Sequence, residues 1–399
     1  MSVLLYIESH DCPRPIADSI LTHLRCFLRK CNDGIMKETP VITYQNALAK
    51  EKRSQAFRDN TIRYAQQLHA IGVPIVFSMK HLAKHLAVEY DDLYWMSRAS
   101  DEFCKFFLIS KKSGGKRRVI APVGTLRDAQ EWIKRNILDA QKPSNCAMGF
   151  VKEKSILDNA KPHENKRYIL KCDISDFFES ITFEQVYYVF LKIGYTKQVS
   201  YALASLCTIQ IGDETYMKMD EDVRTSFDPL YRSGTQFLIQ GAPTSPGLAN
   251  LVCRNMDARL NGYCEKHHVN FTRYADDMTF SADNREDLPS INFIKKVLHE
   301  YGFILNGEKT QYLFTRGRQY VTGLLVDGRV RVPSKFKHDI YRHLYFCKRY
   351  GPRAHFARVA PDKKFYREWL YGKILFVNAI EPEEAKKMFK IASEINWIA

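Results

Sequence analysis

Two kinds of apolar pattern alternate along this chain. Short runs of aromatic and β-branched residues end at polar or glycine-rich breaks and predict strands, whereas longer stretches with apolar residues at helical spacing predict helices. Residues 1 to about 68 read as helical and polar, with Asp18–Leu28 followed by the charged run Lys50–Arg53, and carry no motif. Between Pro74 and Trp95, Leu82, Leu86 and Leu93 fall on roughly one helical face. Phe106–Ile109 and Val119-Ile120 then flank Lys111-Lys-Ser-Gly-Gly-Lys116, whose glycines permit the positive φ of a tight reversal. Helical spacing returns over Thr125–Leu138, and again in Ser155–Ala160, which stops at Pro162; Tyr168–Asp173 is an apolar strand. Residues 184 to about 210 read as helix, and a loop rich in Asp, Ser and Gly is expected from there to Gln240. Ser245 at an N-cap with Pro246 behind it starts a helix running through Leu251, Val252, Met256 and Leu260. Phe271–Ser281 predicts strand, tight turn and strand. A second hairpin is expected from Tyr320–Val326 to Arg329–Val332 through Asp327-Gly328, with Arg329 and Arg331 on one face and Val330 and Val332 on the other.

Bulk composition narrows the class. At 399 residues there is room for two or three lobes, and 45% hydrophobic with 13% aromatic residues describes a folded chain. A formal charge of +15 and a pI near 9.2 favour a polyanionic partner. Nucleic acid is preferred to membrane: no apolar run has the length of a spanning helix, and Met1–Leu21 lacks the layout of a signal peptide. The ten cysteines are scattered without a C-x-x-C pair, so neither a zinc site nor a disulfide framework is suggested. Cys172 and Cys253 lie in apolar runs, as core thiols do, and a reducing cytoplasm is the expected location.

The candidate chemistry centres on Tyr274-Ala275-Asp276-Asp277. Adjacent carboxylates repel, and a divalent cation is a common solution, although Asp-rich turns also occur without one. Asp173 ends an apolar strand upstream, and aspartates on neighbouring strand ends can hold two Mg²⁺ about 4 Å apart, the arrangement for phosphoryl transfer from a nucleotide. Between them lies Gln240-Gly-Ala-Pro-Thr-Ser-Pro-Gly-Leu-Ala-Asn250, a loop running into a helix N-terminus of the kind that faces anionic ligands. The ordered set points to a nucleic-acid polymerase where each part alone does not. The basic hairpin tip with Arg117 and Arg118 reads either as a solvated turn or as an arm over a triphosphate. Lys309 is either a surface lysine or the general acid that protonates departing pyrophosphate. From Arg316 to Lys364 there are thirteen Lys or Arg against three acids, interleaved with aromatics, which suits backbone tracking and base stacking as well as a charged helix bundle.

From about residue 70 onward the chain resembles the reverse transcriptases. Asn159-Ala-Lys-Pro-His163 resembles the Asn-Ala-x-x-His element of the bacterial retron branch, Val321-Thr322-Gly323 its Val-Thr-Gly triplet, and Tyr-Ala-Asp-Asp its usual tetrad. The resemblance implies an α+β right-hand polymerase with fingers, a palm whose antiparallel sheet packs on helices, and a helical thumb. The expected divisions are a helical extension at 1–68, fingers at 69–160 with part of 184–235, palm at 161–330 and basic thumb at 331–399. It implies that Asp173, Asp276 and Asp277 are catalytic and bind two Mg²⁺, one activating a 3′-hydroxyl and the other stabilising pyrophosphate. Phe178 matches the steric-gate position that favours dNTPs over NTPs. Gln240, Lys116 and Arg118 would contact the incoming nucleotide. Asn159, His163 and the Val321-Thr322-Gly323 triplet, with the thumb, are implied in RNA recognition. The partners implied are a cognate structured noncoding RNA, its branched RNA–DNA product (msDNA), dNTPs and an effector protein encoded nearby, in antiphage defence. The alternatives are another defence-associated or group II intron-like reverse transcriptase with a different primer, or a non-catalytic RNA-binding protein that keeps the fold.

Overall fold

A computed structural model describes residues 40–49, 54–111, 114–315, 317–359 and 365–397. The chain divides at Ala70/Ile71 into two compact units. Within the first lie helices α1 (Pro40–Ala49) and most of α2 (Gln55–Ile71). The helical reading of residues 18–28 and the charged run at 50–53 lie outside the described residues. Among the described residues no helix is long and apolar enough to cross a membrane.

The second unit is organised around a four-stranded antiparallel sheet made of β3 (Tyr168–Ile174), β6 (Asn270–Tyr274), β7 (Asp277–Ala282) and β8 (Leu305–Phe314), in the order β6-β7-β3-β8. Aromatic and β-branched residues pair across it, as in the Phe271–Phe280 register pair, whose rings stack at 4.6 Å. One face of the sheet is dry: Leu170, Cys172, Ile174, Met278 and Phe280 are buried. Cys253 is buried as well, in keeping with its expected place in the core.

Before this sheet, β1 (Cys104–Ser110) and β2 (Lys116–Pro122) form the expected hairpin, in register from Cys104↔Pro122 to Ser110↔Lys116. With the short antiparallel pair β4 (Thr208–Ile209) and β5 (Phe237–Leu238), it packs around a small core containing Ile120, Phe227, Phe237 and Ile239. Phe227 belongs to a helix that the sequence reading misses. Where a loop is expected, the chain forms helices at Asp213–Met217 and Glu221–Ser233. The acids taken for loop residues, Asp213, Glu214, Glu221 and Asp222, occupy first turns, where they favour the helix dipole. Val223, Phe227 and Leu230 recur at helical spacing and face that core. The single helix expected over 184–210 is two, Phe183–Ile193 and Lys197–Cys207, separated because Gly194 adopts φ 114° and closes the first. Thr244, not Ser245, occupies the N-cap of the helix Ser245–Val252, one residue earlier than expected.

After the sheet, the second hairpin turns earlier than expected. Strands β9 (Tyr320–Val321) and β10 (Leu324–Leu325) pair around Thr322 and Gly323, both at positive φ. A further reversal at Asp327-Gly328 pairs Leu325 with Arg331. Val330 and Val332 are buried as the alternation requires, and they join the core of the terminal helices Ser334–Tyr350, Tyr366–Asn378 and Pro382–Ser393.

Asn159 and His163, both buried, staple this region to the sheet. Asn159 donates to the Thr322 hydroxyl (3.3 Å), and Thr272 donates to the Asn159 carbonyl (3.4 Å). The His163 ring spans from Thr272 on β6 (2.8 Å) to Ser281 on β7 (2.7 Å). Burial, with the charge of Lys171 adding to it, pushes His163 down to about 3 from its ordinary 6.5. Between those values the unfolded chain binds a proton that the folded chain refuses, so stability falls as pH is lowered through that window, by up to about 1.4 kcal/mol per pH unit. Urea midpoints are therefore expected to decline from pH 6.5 to 4.5, and more gently in His163→Gln. An equal decline in wild type and variant would remove His163 as a cause.

Candidate active site

Two neighbouring strands present the acids. Asp173 on β3 and Asp277 on β7 are cross-strand partners, Tyr274 on β6 is the partner of Asp277, and Asn306 on β8 that of Asp173. Directly opposed residues share a sheet face, so Tyr274, Asp277, Asp173 and Asn306 form a row across all four strands. Asp276 occupies the turn between β6 and β7, and its carbonyl accepts from the Ile174 N–H (3.1 Å). The three acids named from the sequence therefore converge.

Burial and the nearby Asp173 charge raise the Asp276 carboxyl above its ordinary range, and burial raises Asp277 against the opposing pull of Lys171. Two ammonium groups offset part of the repulsion. Lys309 Nζ lies 2.9 and 3.1 Å from the two Asp173 oxygens, and Lys171 Nζ lies 3.2 Å from Asp277. These side chains and Glu308 line a pocket of about 270 Å³. Neither Lys171 nor Glu308 stands out from the sequence as a member of this group. Strand alternation from Asp173 places Lys171 on the same face, which is the signal that could have found it. Among the described residues no group of three or more His, Cys, Asp or Glu is already disposed as a metal cage.

The turn that carries Asp276 is held from behind by a buried cation. Arg273 and Asp257 are both fully buried, with Nε and one terminal nitrogen of Arg273 each 2.7 Å from an Asp257 oxygen. The other terminal nitrogen donates to Asn250 Oδ1 (3.2 Å) and to the Ala275 carbonyl (3.0 Å). Ala275 sits at φ 57°, a conformation that few residues other than glycine adopt without local support. Asn250 in turn donates to the Gly149 carbonyl (2.9 Å). A Cβ on Gly149 would come within 2.8 Å of the Ala275 nitrogen, so only glycine fits beneath the turn.

The remaining candidates sit around this centre to different degrees. Phe178 is half-buried in the turn that follows β3, edge-on to Phe177 (5.3 Å), which stacks on Phe303 (5.8 Å). Arg118 on β2 bonds Asp176 (2.7 Å), two residues from Phe178, which ties the first hairpin to that turn. Lys116 is paired with Asp222 (2.9 Å) near the hairpin tip. The Gln240 carbonyl accepts from the Ile120 N–H (3.0 Å), and a Cβ on Gly241 would come within 2.6 Å of the Ile120 carbonyl. Gln240 is thereby fixed beside β2. Asn159, His163 and Val321 are buried in the staple described above and do not reach the row of acids, and Thr322 and Gly323 form the turn next to them.

Comparison with known proteins adds an independent finding. The family model described as "Reverse transcriptase (RNA-dependent DNA polymerase)" matches residues 109–338. The chain is similar to the Retron Ec86 reverse transcriptase of Escherichia coli, 29% identical over 84% of this chain and 93% of the relative. It is also similar to the Retron Mx65 reverse transcriptase of Myxococcus xanthus, 30% identical over 81% of this chain and 73% of the relative. Among solved structures, telomerase from Candida albicans in complex with a fragment of telomeric RNA matches with a TM-score of 0.40 and 12% identity, over 73% of this chain and 63% of that one.

Asp257→Ala strands the buried Arg273 guanidinium and is expected to cost about 3–5 kcal/mol of stability. Gly149→Ala forces the turn outward and is expected to cost about 1–3 kcal/mol. Urea unfolding of both variants checks this. A loss under about 1 kcal/mol for Asp257→Ala would mean that the buried pair does not hold the turn.

Proposed function

Because the chain belongs to the reverse transcriptases, and among them to the bacterial retron type, we propose that it binds a cognate structured noncoding RNA and copies part of it into a branched RNA–DNA hybrid (msDNA). RNA-directed DNA polymerase activity follows from membership of the family; the RNA partner, the branched product and a place in antiphage defence beside an effector encoded nearby belong to the proposal. The observation that carries the mechanism is the register pairing of Asp173 with Asp277 beside Asp276.

Reverse transcriptases generally work with divalent metal ions, and the residues present fit such ions. Carboxylate oxygens are the hard donors that Mg²⁺ prefers, and Asp173, Asp276 and Asp277 bring three of them together where burial, with the Asp173 charge beside Asp276, makes shared negative charge costly without a cation. Asp173, Asp276 and Asp277 would hold two Mg²⁺. When bound, these ions supply Lewis-acid activation of the attacking hydroxyl and charge neutralisation on the triphosphate.

The chain's own side chains do the rest. Phe178, held by Phe177 and Phe303, packs on the sugar of the incoming nucleotide and leaves no room for a 2′-hydroxyl. Arg118 and Lys116 bring positive charge from the first hairpin to the triphosphate, and Gln240 contacts the nucleotide from its position beside β2. Lys309 moves off Asp173 to donate a proton to pyrophosphate. The Thr322-Gly323 turn and the basic C-terminal helices meet the RNA. Asn159, His163 and Val321 act on RNA choice only through the backbone they hold, because their side chains are buried.

Replacing Asp276 and Asp277 together by Asn is expected to abolish DNA synthesis while leaving RNA affinity within about threefold; full extension by that variant with Mg²⁺ would end the metal assignment. Phe178→Ala is expected to raise rNTP incorporation, and an unchanged dNTP/rNTP ratio would remove Phe178 from sugar selection. Nucleic acid co-purifying with the protein is expected to contain a covalent RNA–DNA branch. A linear product alone would favour the intron-like primer.

A further inference from the structure

Phe150 combines three properties that packing alone does not account for. Its backbone sits at φ 59°, in the left-handed region that a bulky L-residue rarely adopts. The residue is 55% exposed, so the strain is not repaid by burying the ring. The chain leading to it is clamped in place: the Met148 N–H donates to the Arg273 carbonyl (2.8 Å), and Gly149 is locked under Ala275 and bonded to Asn250. Glycine or asparagine would adopt this conformation at lower cost. A phenylalanine held there, rigid and facing solvent, has the character of a contact surface awaiting a partner.

Its neighbours identify that partner. The Phe150 ring lies 6.2 Å from the Tyr274 ring. Tyr274 is the register partner of Asp277, which is the partner of Asp173. The segment before Phe150 runs along the free edge of β6, where Ala147 bridges Arg273. Tyr274 ends the row on the β6 edge, and the Phe150 ring, 6.2 Å beyond it, continues the aromatic surface past that edge. On the function proposed above, on which this inference rests, the acids bind the reacting groups, so the rings at the other end of the row meet the strand that carries the 3′-hydroxyl. Aromatic faces stack on bases irrespective of sequence, as a polymerase that must advance along any template requires.

We propose that Phe150 is a positioning residue that stacks, together with Tyr274, on the 3′-terminal region of the primer strand and holds its hydroxyl in line with Asp173, Asp276 and Asp277. It touches neither the triphosphate nor the acids.

The test uses the full chain, a fluorescein-labelled DNA primer annealed to an RNA template, and the variants Phe150→Ala, Phe150→Gly and Phe150→Tyr. Phe150→Ala and Phe150→Gly are expected to weaken primer–template binding roughly 10- to 100-fold, with the KM for dNTP within about twofold of wild type and Phe150→Tyr close to wild type. Phe150→Gly is expected to leave Tm unchanged or raised, because it relieves the left-handed strain. Primer–template affinity within about twofold of wild type in Phe150→Ala would overturn the proposal. So would a fall of Tm in Phe150→Gly, which would make the ring a structural element, or a KM effect confined to dNTP. If the wild-type chain itself failed to extend the primer, the polymerase function would fall, whereas normal wild-type extension with unaltered Phe150 variants would remove only the role of this ring.

Discussion

The buried guanidinium of Arg273 is the interaction on which the centre of this protein depends. A charge removed from water is tolerable only when its donors are satisfied, and this one is satisfied by a bidentate carboxylate, an amide oxygen and a main-chain carbonyl. Those partners come from different parts of the chain: Asp257 and Asn250 from two successive helices, and Ala275 from the acidic turn itself. Through Asn250 the network also reaches Gly149. The arrangement holds a short turn in a left-handed conformation with a glycine pressed beneath it, and so fixes the backbone from which the two carboxylates project. Because removing Asp257 strands a buried charge, and removing Asn250 leaves a buried donor short of a partner, the geometry is held more rigidly than hairpin propensity alone would hold it.

A second constraint works in the opposite sense. Three carboxylates converge on one sheet face, and burial makes their mutual repulsion stronger than it would be in water. Two lysines approach from the same face and offset part of it. Lys309 is largely exposed, with a side chain 60% accessible, whereas Lys171 is mostly buried at 18%. Their mobility therefore differs: Lys309 can swing away when another cation or a phosphate arrives, while Lys171 stays with Asp277. The protein thus keeps its acids together before any ligand binds and leaves one side of the site open to exchange.

Motif residues divide into those that face the cleft and those that hold the frame. Asp173, Asp276 and Asp277 converge at one end of the sheet, but Asn159 and His163 are staples between the helix ahead of β3, the β6–β7 pair and the Thr322-Gly323 turn. Short sequence motifs carry no label for this difference. A buried histidine bonded to two hydroxyls and an exposed histidine facing RNA are the same letter in the same pattern. The second hairpin makes the same point: Asp327-Gly328 carries the stronger turn signal, yet Thr322-Gly323 closes the β9–β10 pair because Val321, Leu324 and Val326 must all enter the core of the terminal helices.

Local pattern by itself determined the strands that carry the acids, the first hairpin and the amphipathic alternation at Val330 and Val332, because each depends on neighbours a few residues away. The same pattern was present in Val223, Phe227 and Leu230, but acids at both helix starts hid it behind the composition of a loop. Only the tertiary structure decided that Asp173 opposes Asp277, that Lys171 and Glu308 line the same pocket, that Arg273 is a buried anchor, and that the Phe150 ring lies beyond Tyr274. Those facts depend on pairing between segments more than a hundred residues apart in some cases, and on desolvation, which acts on a side chain only once the rest of the chain has closed around it.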